Sequence, residues 1–278
     1  MGLTRQQCVS KLREVVGKGA PILGVGAGTG ITAKFAECGG ADLIIIYNSG
    51  RYRMAGRGST AGLMAYGDAN GIVVEMAEEV LPVVKHTPVL AGVCGTDPFR
   101  RMTHFLPQIK QLGFSGVQNF PSVGIIDGRF RRSLEETGMG YGLEVEMIRV
   151  AHSLDLLTCP YAFNEEEARC MVQAGADLLV AHMGLTTSGS IGAQTALSLE
   201  EAVERVQAIR DAAVTVNPDV LVICHGGPIA EPRDARYILR NTNGVHGFFG
   251  ASSIERLAVE RAVTEQTQAF KRILEAPE

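Results

Sequence analysis

The sequence predicts an α/β protein folded as a single (β/α)8 TIM barrel, one domain over residues 1–278. Three observations carry this. Eight short apolar runs alternate strictly with eight longer amphipathic ones. The length of 278 residues is close to the roughly 250 such a barrel needs. The joints also repeat: Gly39-Gly40-Ala41-Asp42 and Ala174-Gly175-Ala176-Asp177 are near copies, each with a glycine where a helix must end before the next strand. A doubly wound sheet is the rival, but no composition shift marks a second domain.

The predicted strands are Ile22–Val25, Leu43–Tyr47, Val89–Val93, Gly116–Asn119, Leu156–Cys159, Leu178–Ala181, Val220–Cys224 and Val245–Phe249. Each is continuous or nearly so in apolar residues, as strands buried on both faces must be. Helices are predicted at Thr32–Cys38, Val73–Val84, Phe99–Leu112, Gly140–His152, Glu165–Ala174, Leu199–Val216, Pro232–Leu239 and Ile254–Leu274. Ser198 with Glu201 and Ser252 with Glu255 have capping-box spacing, and Asn164 with Glu167 is a weaker relative. Asp97 before Pro98 reads as an N-cap followed by the favoured first helical residue.

Composition removes several function classes. Twenty-six basic against 30 acidic side chains leave a net charge of −4, so nothing points to a nucleic-acid partner or an anionic membrane surface. No apolar run approaches the ~20 residues of a membrane helix. Met1 to Lys18 lacks the apolar stretch of a signal peptide, and the six cysteines form no C-x-x-C pair. These features predict a cytoplasmic protein with reduced thiols.

Ligands of such barrels bind at the C-terminal ends of the strands. Three loops there are long: Asn48 to Gly71, Phe120 to about Met139 (with Asp127, Arg129, Arg131 and Arg132), and Met183 to Gly192. Loops of this length in a compact domain are usually functional. After the seventh strand comes His225-Gly226-Gly227-Pro228, and after the eighth Gly250-Ala251-Ser252-Ser253 opening onto the last helix. Glycines that expose backbone N–H groups, next to a helix N-terminus, suit a phosphate or another small anion. Turn glycines and a plain capping box explain the same residues. Gly24 to Gly30 fits neither a G-x-G-x-x-G register nor a phosphate-binding P-loop, so a nucleotide is not expected. His182 and His225 end neighbouring strands and are candidates for proton transfer, as is the Asp97 carboxylate. Structural histidines and a simple cap are the plainer alternatives. Gln118 and Asn119 end the fourth strand and are neutral. Cys94, Cys159 and Cys224 read as packing.

The stretches Ile44-Ile45-Ile46-Tyr47-Asn48-Ser49-Gly50-Arg51, Gly92-Val93-Cys94-Gly95-Thr96-Asp97-Pro98, Val117-Gln118-Asn119-Phe120-Pro121, Ala181-His182-Met183-Gly184-Leu185-Thr186 and Cys224-His225-Gly226-Gly227-Pro228-Ile229-Ala230 resemble the phosphoenolpyruvate hydrolase-like TIM-barrel proteins. The similarity runs from about Gly2 to Lys271. It extends to the C-terminal half of a plant virus-resistance protein. The wider phosphoenolpyruvate/pyruvate barrel superfamily implies a Ser-Gly after the second strand that binds a 2-oxo acid, matched here by Ser49 and Gly50. It also implies Mg2+ held by acids after the third and fourth strands. There the sequence departs, with Cys94-Gly95-Thr96-Asp97 for an Asp-x-Asp and Gln118-Asn119 for a Glu-Asp; Pro160 and Tyr161 stand where an arginine would follow the fifth strand. Neutral amides are poor ligands for a hard cation.

Two functions follow. In the first, the chain is a phosphoenolpyruvate/phosphonopyruvate hydrolase-like enzyme, a hydrolase or lyase acting on a small phosphorylated or phosphono 2-oxo or enol acid. Ser49, Gly50 and Arg51 would hold the carboxylate, and Gly226, Gly227, Gly250, Ala251, Ser252 and Ser253 the phosphoryl oxygens. His182, His225 or Asp97 would move protons, with Asn48, Gln118, Asn119 and Tyr161 completing the rim. A divalent metal such as Mg2+ would bind only weakly, through Asp97, one of the histidines and substrate oxygens. In the second, the barrel has lost its chemistry and acts as a metabolite-binding or signal-transduction protein. A homo-oligomer built through the outer helices is expected in both.

Overall fold

The computed structural model describes residues 2–274. Its framework is one parallel sheet of nine strands: β1 (Ile22–Ala27), β2 (Leu43–Ile46), β3 (Val89–Val93), β4 (Gly116–Asn119), β5 (Leu157–Thr158), β6 (Tyr161–Ala162), β7 (Leu178–His182), β8 (Leu221–His225) and β9 (Gly247–Gly250). The order is β5-β4-β3-β2-β1-β9-β8-β7-β6. The two strands at the ends of that order are consecutive in the chain, separated only by Cys159 and Pro160. The predicted fifth strand is thus cut in two. Its first half pairs with β4 and its second with β7. Pro160 has no N–H to give a ladder, but its carbonyl accepts from Val180 N at 2.8 Å. The strands are buried almost throughout, with Ile44, Ile45, Ile46, Leu178, Leu179 and Val180 at the centre of the core.

Helices α2 (Gly30–Cys38), α4 (Ala69–Val80), α5 (Met102–Leu112), α7 (Gly142–Ser153), α8 (Glu165–Gln173), α9 (Leu199–Val216), α10 (Pro232–Asn241) and α11 (Arg256–Lys271) correspond to the eight predicted ones, with ends shifted by a few residues. Ser198 and Glu201 form their capping box, and Asn164 caps Glu167 N. Three further helices were not foreseen: α1 (Arg5–Gly17) before the first strand, and α3 (Asn48–Met54) and α6 (Gly128–Glu136) inside the long loops. Helix α1 closes the N-terminal rim of the sheet. Arg5 pairs bidentately with Asp177, Lys11 reaches the carbonyl of His86, and Arg13 that of Asp219, all just before strands or at their connections. The opposite rim is left for the long loops.

Two predicted caps are not made. Helix α5 begins at Met102 with Arg101 at its cap, so Asp97 does not cap it; its carboxylate takes Phe99 N, Asn70 Nδ2 and Arg100 Nη1 instead. Helix α11 begins at Arg256, and Glu255, the expected partner of Ser252, turns into the protein. At Gly28 and Gly50 the absence of a side chain is required. A Cβ on Gly28 would lie 2.1 Å from the Gly50 carbonyl oxygen, because the end of β1 and the backbone of α3 touch there.

Candidate active site

The C-terminal ends of β2, β6, β7, β8 and β9 surround a small cavity of about 30 Å³. Its lining includes Tyr47, Ser49, Arg53, Tyr161, His182 and His225, together with Leu63, Ile125 and Leu185. His182 and His225 stand opposite each other in the β7–β8 ladder, so their side chains project in the same direction. Their ring centres are 4.7 Å apart, and Tyr161 packs on both, at 4.7 Å from His182 and 5.4 Å from His225.

The hydrogen bonds fix opposite tautomers. His225 Nδ1 faces the Phe249 carbonyl at 2.8 Å, so it carries the proton and Nε2 keeps its lone pair. His182 Nδ1 accepts from Gly184 N at 3.0 Å, so its proton sits on Nε2. Burial pushes His225 down to about 4 and His182 well below the ordinary histidine range, the latter helped by the neighbouring ring. At neutral pH the pair is one uncharged donor beside one uncharged acceptor.

The charge in the cavity wall comes from Arg53. Residues two apart on a helix differ by about 200°, so α3 sends Arg51 and Arg53 to opposite sides. Arg51 lies outside and pairs loosely with Glu79 at 3.5 Å; it does not reach the cavity, contrary to its expected role. Arg53, one turn from Ser49 and Gly50, is buried. Its Nε and Nη2 meet Glu255 at 3.2 and 3.1 Å, and its plane lies 5.3 Å from the Tyr47 ring. Burial opposes its charge, but Tyr47 and Glu255 outweigh that and keep it firmly protonated. Nη1 has only Ser59 Oγ, at 3.5 Å. Ser59 Oγ lies 3.2 Å from Ser252 Oγ, and the Ser59 carbonyl accepts from Ser49 at 2.7 Å. Glu255 also accepts from Gly28 N and from Thr32 Oγ1, the latter at 2.7 Å.

Of the predicted site residues, Ser49, Tyr161, His182, His225, Ala251 and Ser252 meet in this cavity. The others do not line it. Gly226 and Gly227 have positive φ and let the loop after β8 press against that after β7: Gly227 N donates to the Gly184 carbonyl at 2.9 Å rather than standing open to an anion. Gly250 packs on Ile254, and Gly50 on Gly28. The Ser253 side chain is turned elsewhere and lines a different groove. Asn119 joins the two halves of the broken strand to α7, accepting from Tyr161 N at 2.7 Å and donating to Glu144 at 2.7 Å. Gln118 donates to the Cys159 sulfur at 3.8 Å. Asn48 and Asp97 border a second, larger groove outside the cavity. Tyr47, Arg53, Ser59 and Glu255 were not among the predicted site residues. The signal for Arg53 was the i+3 and i+4 spacing from Gly50 and Ser49, legible only once a helix is assigned there.

A metal does not fit this rim. Asp97, the one acid left where the resemblance expects Mg2+ ligands, is committed to Arg100, Asn70 and Phe99 N, and Arg100 also binds Asp68. Gln118 and Asn119 are neutral and face inward to protein partners. Among the described residues no three His, Cys, Asp or Glu side chains converge as a ligand set.

The phosphoenolpyruvate hydrolase-like family model matches residues 7–273. The chain belongs to that family. It is 66% identical over 265 residues to the ToMV susceptible protein tm-1(GCR26) of Solanum lycopersicum, a match covering 95% of this chain and 35% of that protein. The chain thus spans about a third of the length of that tomato relative. Among solved structures, phosphoenolpyruvate phosphomutase from Streptomyces platensis subsp. rosaceus superposes with a TM-score of 0.59 at 15% identity, covering 96% of this chain and 87% of the other. A phosphonopyruvate hydrolase complex with oxalate and Mg2+ superposes with 0.57 at 18%, covering 98% and 92%. 2,3-Dimethylmalate lyase, a PEP mutase/isocitrate lyase superfamily member, superposes with 0.57 at 16%, covering 96% and 88%; these likenesses show a shared fold. Among the described residues no helix is long and apolar enough to cross a membrane.

Proposed function

We propose that this family member is a hydrolase or lyase of a small phosphorylated or phosphono 2-oxo or enol acid, working without a tightly held metal. The observation that carries the reading is Arg53: a buried guanidinium whose Nη1 is left at the edge of a cavity shared with two uncharged histidines. Arg53 Nη1 and the hydroxyls of Ser49, Ser59 and Ser252 would hold the anionic end of the substrate. His182 would donate from Nε2 to an oxygen gaining charge, and His225 would accept a proton at Nε2. Preorganised donors in a dry site are worth a few kcal/mol each at a developing anion. We read β5 and β6 as one strand interrupted at Pro160, and hence the sheet as a closed eight-stranded barrel with this cavity at its mouth. The six free cysteines support a reducing, cytoplasmic setting.

We also propose a homo-oligomer formed through α11. Beyond Leu257 this helix is almost fully solvent-facing, yet it carries Val259, Val263 and Phe270. An apolar groove runs between it and α2, where Ile31 and Phe35 are exposed as well. A second copy would cover both.

The first test is thermal stabilisation by oxalate, pyruvate, phosphoenolpyruvate, phosphonopyruvate and phosphate, followed by assays for phosphate or pyruvate release. Stabilisation that disappears in Arg53→Met, together with product release that disappears in a His225→Asn protein, supports the enzyme. Binding without turnover selects the second reading, a metabolite-binding or signalling barrel, which the small volume of the cavity favours.

A further inference from the structure

The second groove is far larger than the cavity, about 930 Å³, and lies directly beside it. One thin wall divides them. Leu63 lines both spaces. Three pairs of adjacent residues straddle the wall: Ser49, Phe120 and Ile125 face the cavity, while Asn48, Pro121 and Ile126 face the groove. The groove is mostly apolar, and its rim carries exposed Met64, Phe99, Phe130 and Met139. Solvent-facing aromatic and sulfur-bearing side chains gathered around a concave surface are uncommon on a protein that binds nothing there. One polar atom in the groove lining is also out of place. Asn48 is 3% exposed, and its Oδ1 is buried with no hydrogen-bond partner among the described residues, although its Nδ2 is spent on the Gly62 carbonyl at 2.9 Å. A buried acceptor left unmatched is destabilising unless a ligand supplies the donor.

On the proposed reading of the cavity as an anion site, we infer that the groove is the subsite for an extended apolar tail on the acid whose anionic head the cavity binds, so that the ligand is longer than the small acids named above. The ligand class is then a 2-oxo acid whose anionic head meets Arg53 and the histidines and whose aliphatic or aromatic tail passes Leu63 into the groove. A hydrogen-bond donor near the head would meet Asn48 Oδ1. The dimensions argue for this. A space of about 30 Å³ takes little more than water with Leu63 in place, and Leu63 is the residue that both spaces share. Leu63 ends the short 3-10 turn Ser59–Leu63, whose first residue touches Arg53, so head and tail subsites share one element.

The test is calorimetric titration of the full chain with 2-oxo acids of increasing length, from pyruvate through 2-oxobutyrate and 2-oxohexanoate to 2-oxooctanoate. The expected result is an affinity that rises about fourfold for each of the first few added methylenes. The ratio of 2-oxooctanoate to pyruvate affinity should fall at least tenfold in Phe130→Asp and in Leu134→Asp, two changes on the rim helix α6, which buries no residue of its own. Both acids should weaken together in the Arg53→Met/Glu255→Leu double variant, which removes the guanidinium without leaving Glu255 buried alone. If pyruvate and oxalate bind in an Arg53-dependent way but length makes no difference, the tail subsite is overturned and the anion site stands. If 2-oxooctanoate binds equally well without Arg53, head and tail are not one ligand and the inference falls. If neither short nor long acid depends on Arg53, the reading of the cavity falls and takes the inference with it.

Discussion

Arg53 and Glu255 lie side by side in the wall of the cavity, Nη2 to Oε2 at 3.1 Å, both side chains 1% exposed and 202 residues apart in the chain. The carboxylate is not held by the arginine alone: Gly28 N and Thr32 Oγ1 donate to its other oxygen. One glutamate therefore ties together the end of β1, the first turn of α2, α3 and the entry of α11. The next residue, Arg256, continues the link, donating to the Ser188 carbonyl at 2.9 Å and pairing with Glu260 at 3.0 Å, so the same turn also fixes the loop after β7.

Breaking this pair from one side should be worse than removing it whole. Glu255→Leu leaves a buried guanidinium uncompensated and is expected to cost about 3–5 kcal/mol. Arg53→Met with Glu255→Leu removes both charges and should cost clearly less than Glu255→Leu alone. Urea denaturation of the two variants and the parent gives the comparison; a double variant as unstable as the single one would show that the hydrogen bonds to Gly28 and Thr32, not the ion pair, carry the junction.

Acid stability should follow the histidines. His225 titrates at about 4 in the folded chain against an ordinary 6.5, so between those values the unfolded state binds the extra proton. The stabilising contribution is complete above pH 6.5 and is lost as pH falls toward 4; His182, shifted in the same direction, adds to it. The melting temperature should drop across that window. In His225→Asn, whose side-chain amide can still donate to the Phe249 carbonyl, the drop should be smaller. Melting curves at half-unit steps from pH 4 to 7 measure it.

Glu144 should act in the opposite sense. Burial raises it to about 8, against the N–H groups of Val123 and Asn119 that favour its charge. A raised carboxyl contributes stability that is full below about 4.5 and lost as pH passes 8. The parent should therefore weaken between about pH 5 and 8, most cleanly read above pH 6.5 where the histidine contribution no longer changes, and Glu144→Gln should flatten that decline while remaining folded at pH 6. Equal slopes in both proteins would mean that Glu144 is ionised throughout.

How much of this was legible depends on distance along the chain. The eight apolar runs and the capping box at Ser198 depend on neighbours within a few residues, and they came out at or near their predicted places. The histidine pair was legible too, because two strand ends in register need only the alternation to be right. The Arg53–Glu255 pair was not. Glu255 three residues after Ser252 has the spacing of a capping box, and local spacing cannot say that a carboxylate will find a buried arginine 202 residues away in the chain. The choice of Arg51 failed for a related reason. A segment read as loop has no periodicity, so the nearer arginine looked equivalent, whereas the helix at Asn48–Met54 turns it outward. Pro160 was visible, but that it would split a strand whose halves pair with β4 and β7 depends on the curl of the whole sheet.

The last expectation concerns the metal. A hard dication such as Mg2+ demands near-octahedral oxygen donors and parts with its water reluctantly, so it needs at least one free carboxylate with others close by. Asp97 is the acid at the expected place, and it is already neutralised: Arg100 Nη1 lies 2.7 Å away, and Asn70 Nδ2 and Phe99 N complete its shell. Its carboxyl is held below the usual range, with burial working against that and the Asn70 and Arg100 contacts prevailing. To take Mg2+, Asp97 would have to release Arg100, which also holds Asp68, and the residues that end the fourth strand, Gln118 and Asn119, are neutral and turned to protein partners. Titration of the chelator-treated protein with Mg2+ up to millimolar concentration should therefore show no saturable heat and a melting temperature shifted by less than about 1 °C. Asp97→Asn should leave any binding or turnover of the anionic acids within about threefold of the parent, since asparagine keeps an acceptor for Phe99 N. Its stability should fall by only about 1 kcal/mol, the scale of a partly exposed ion pair. Saturable Mg2+ binding that Asp97→Asn abolishes would reverse this and make Asp97 a ligand rather than the partner of Arg100.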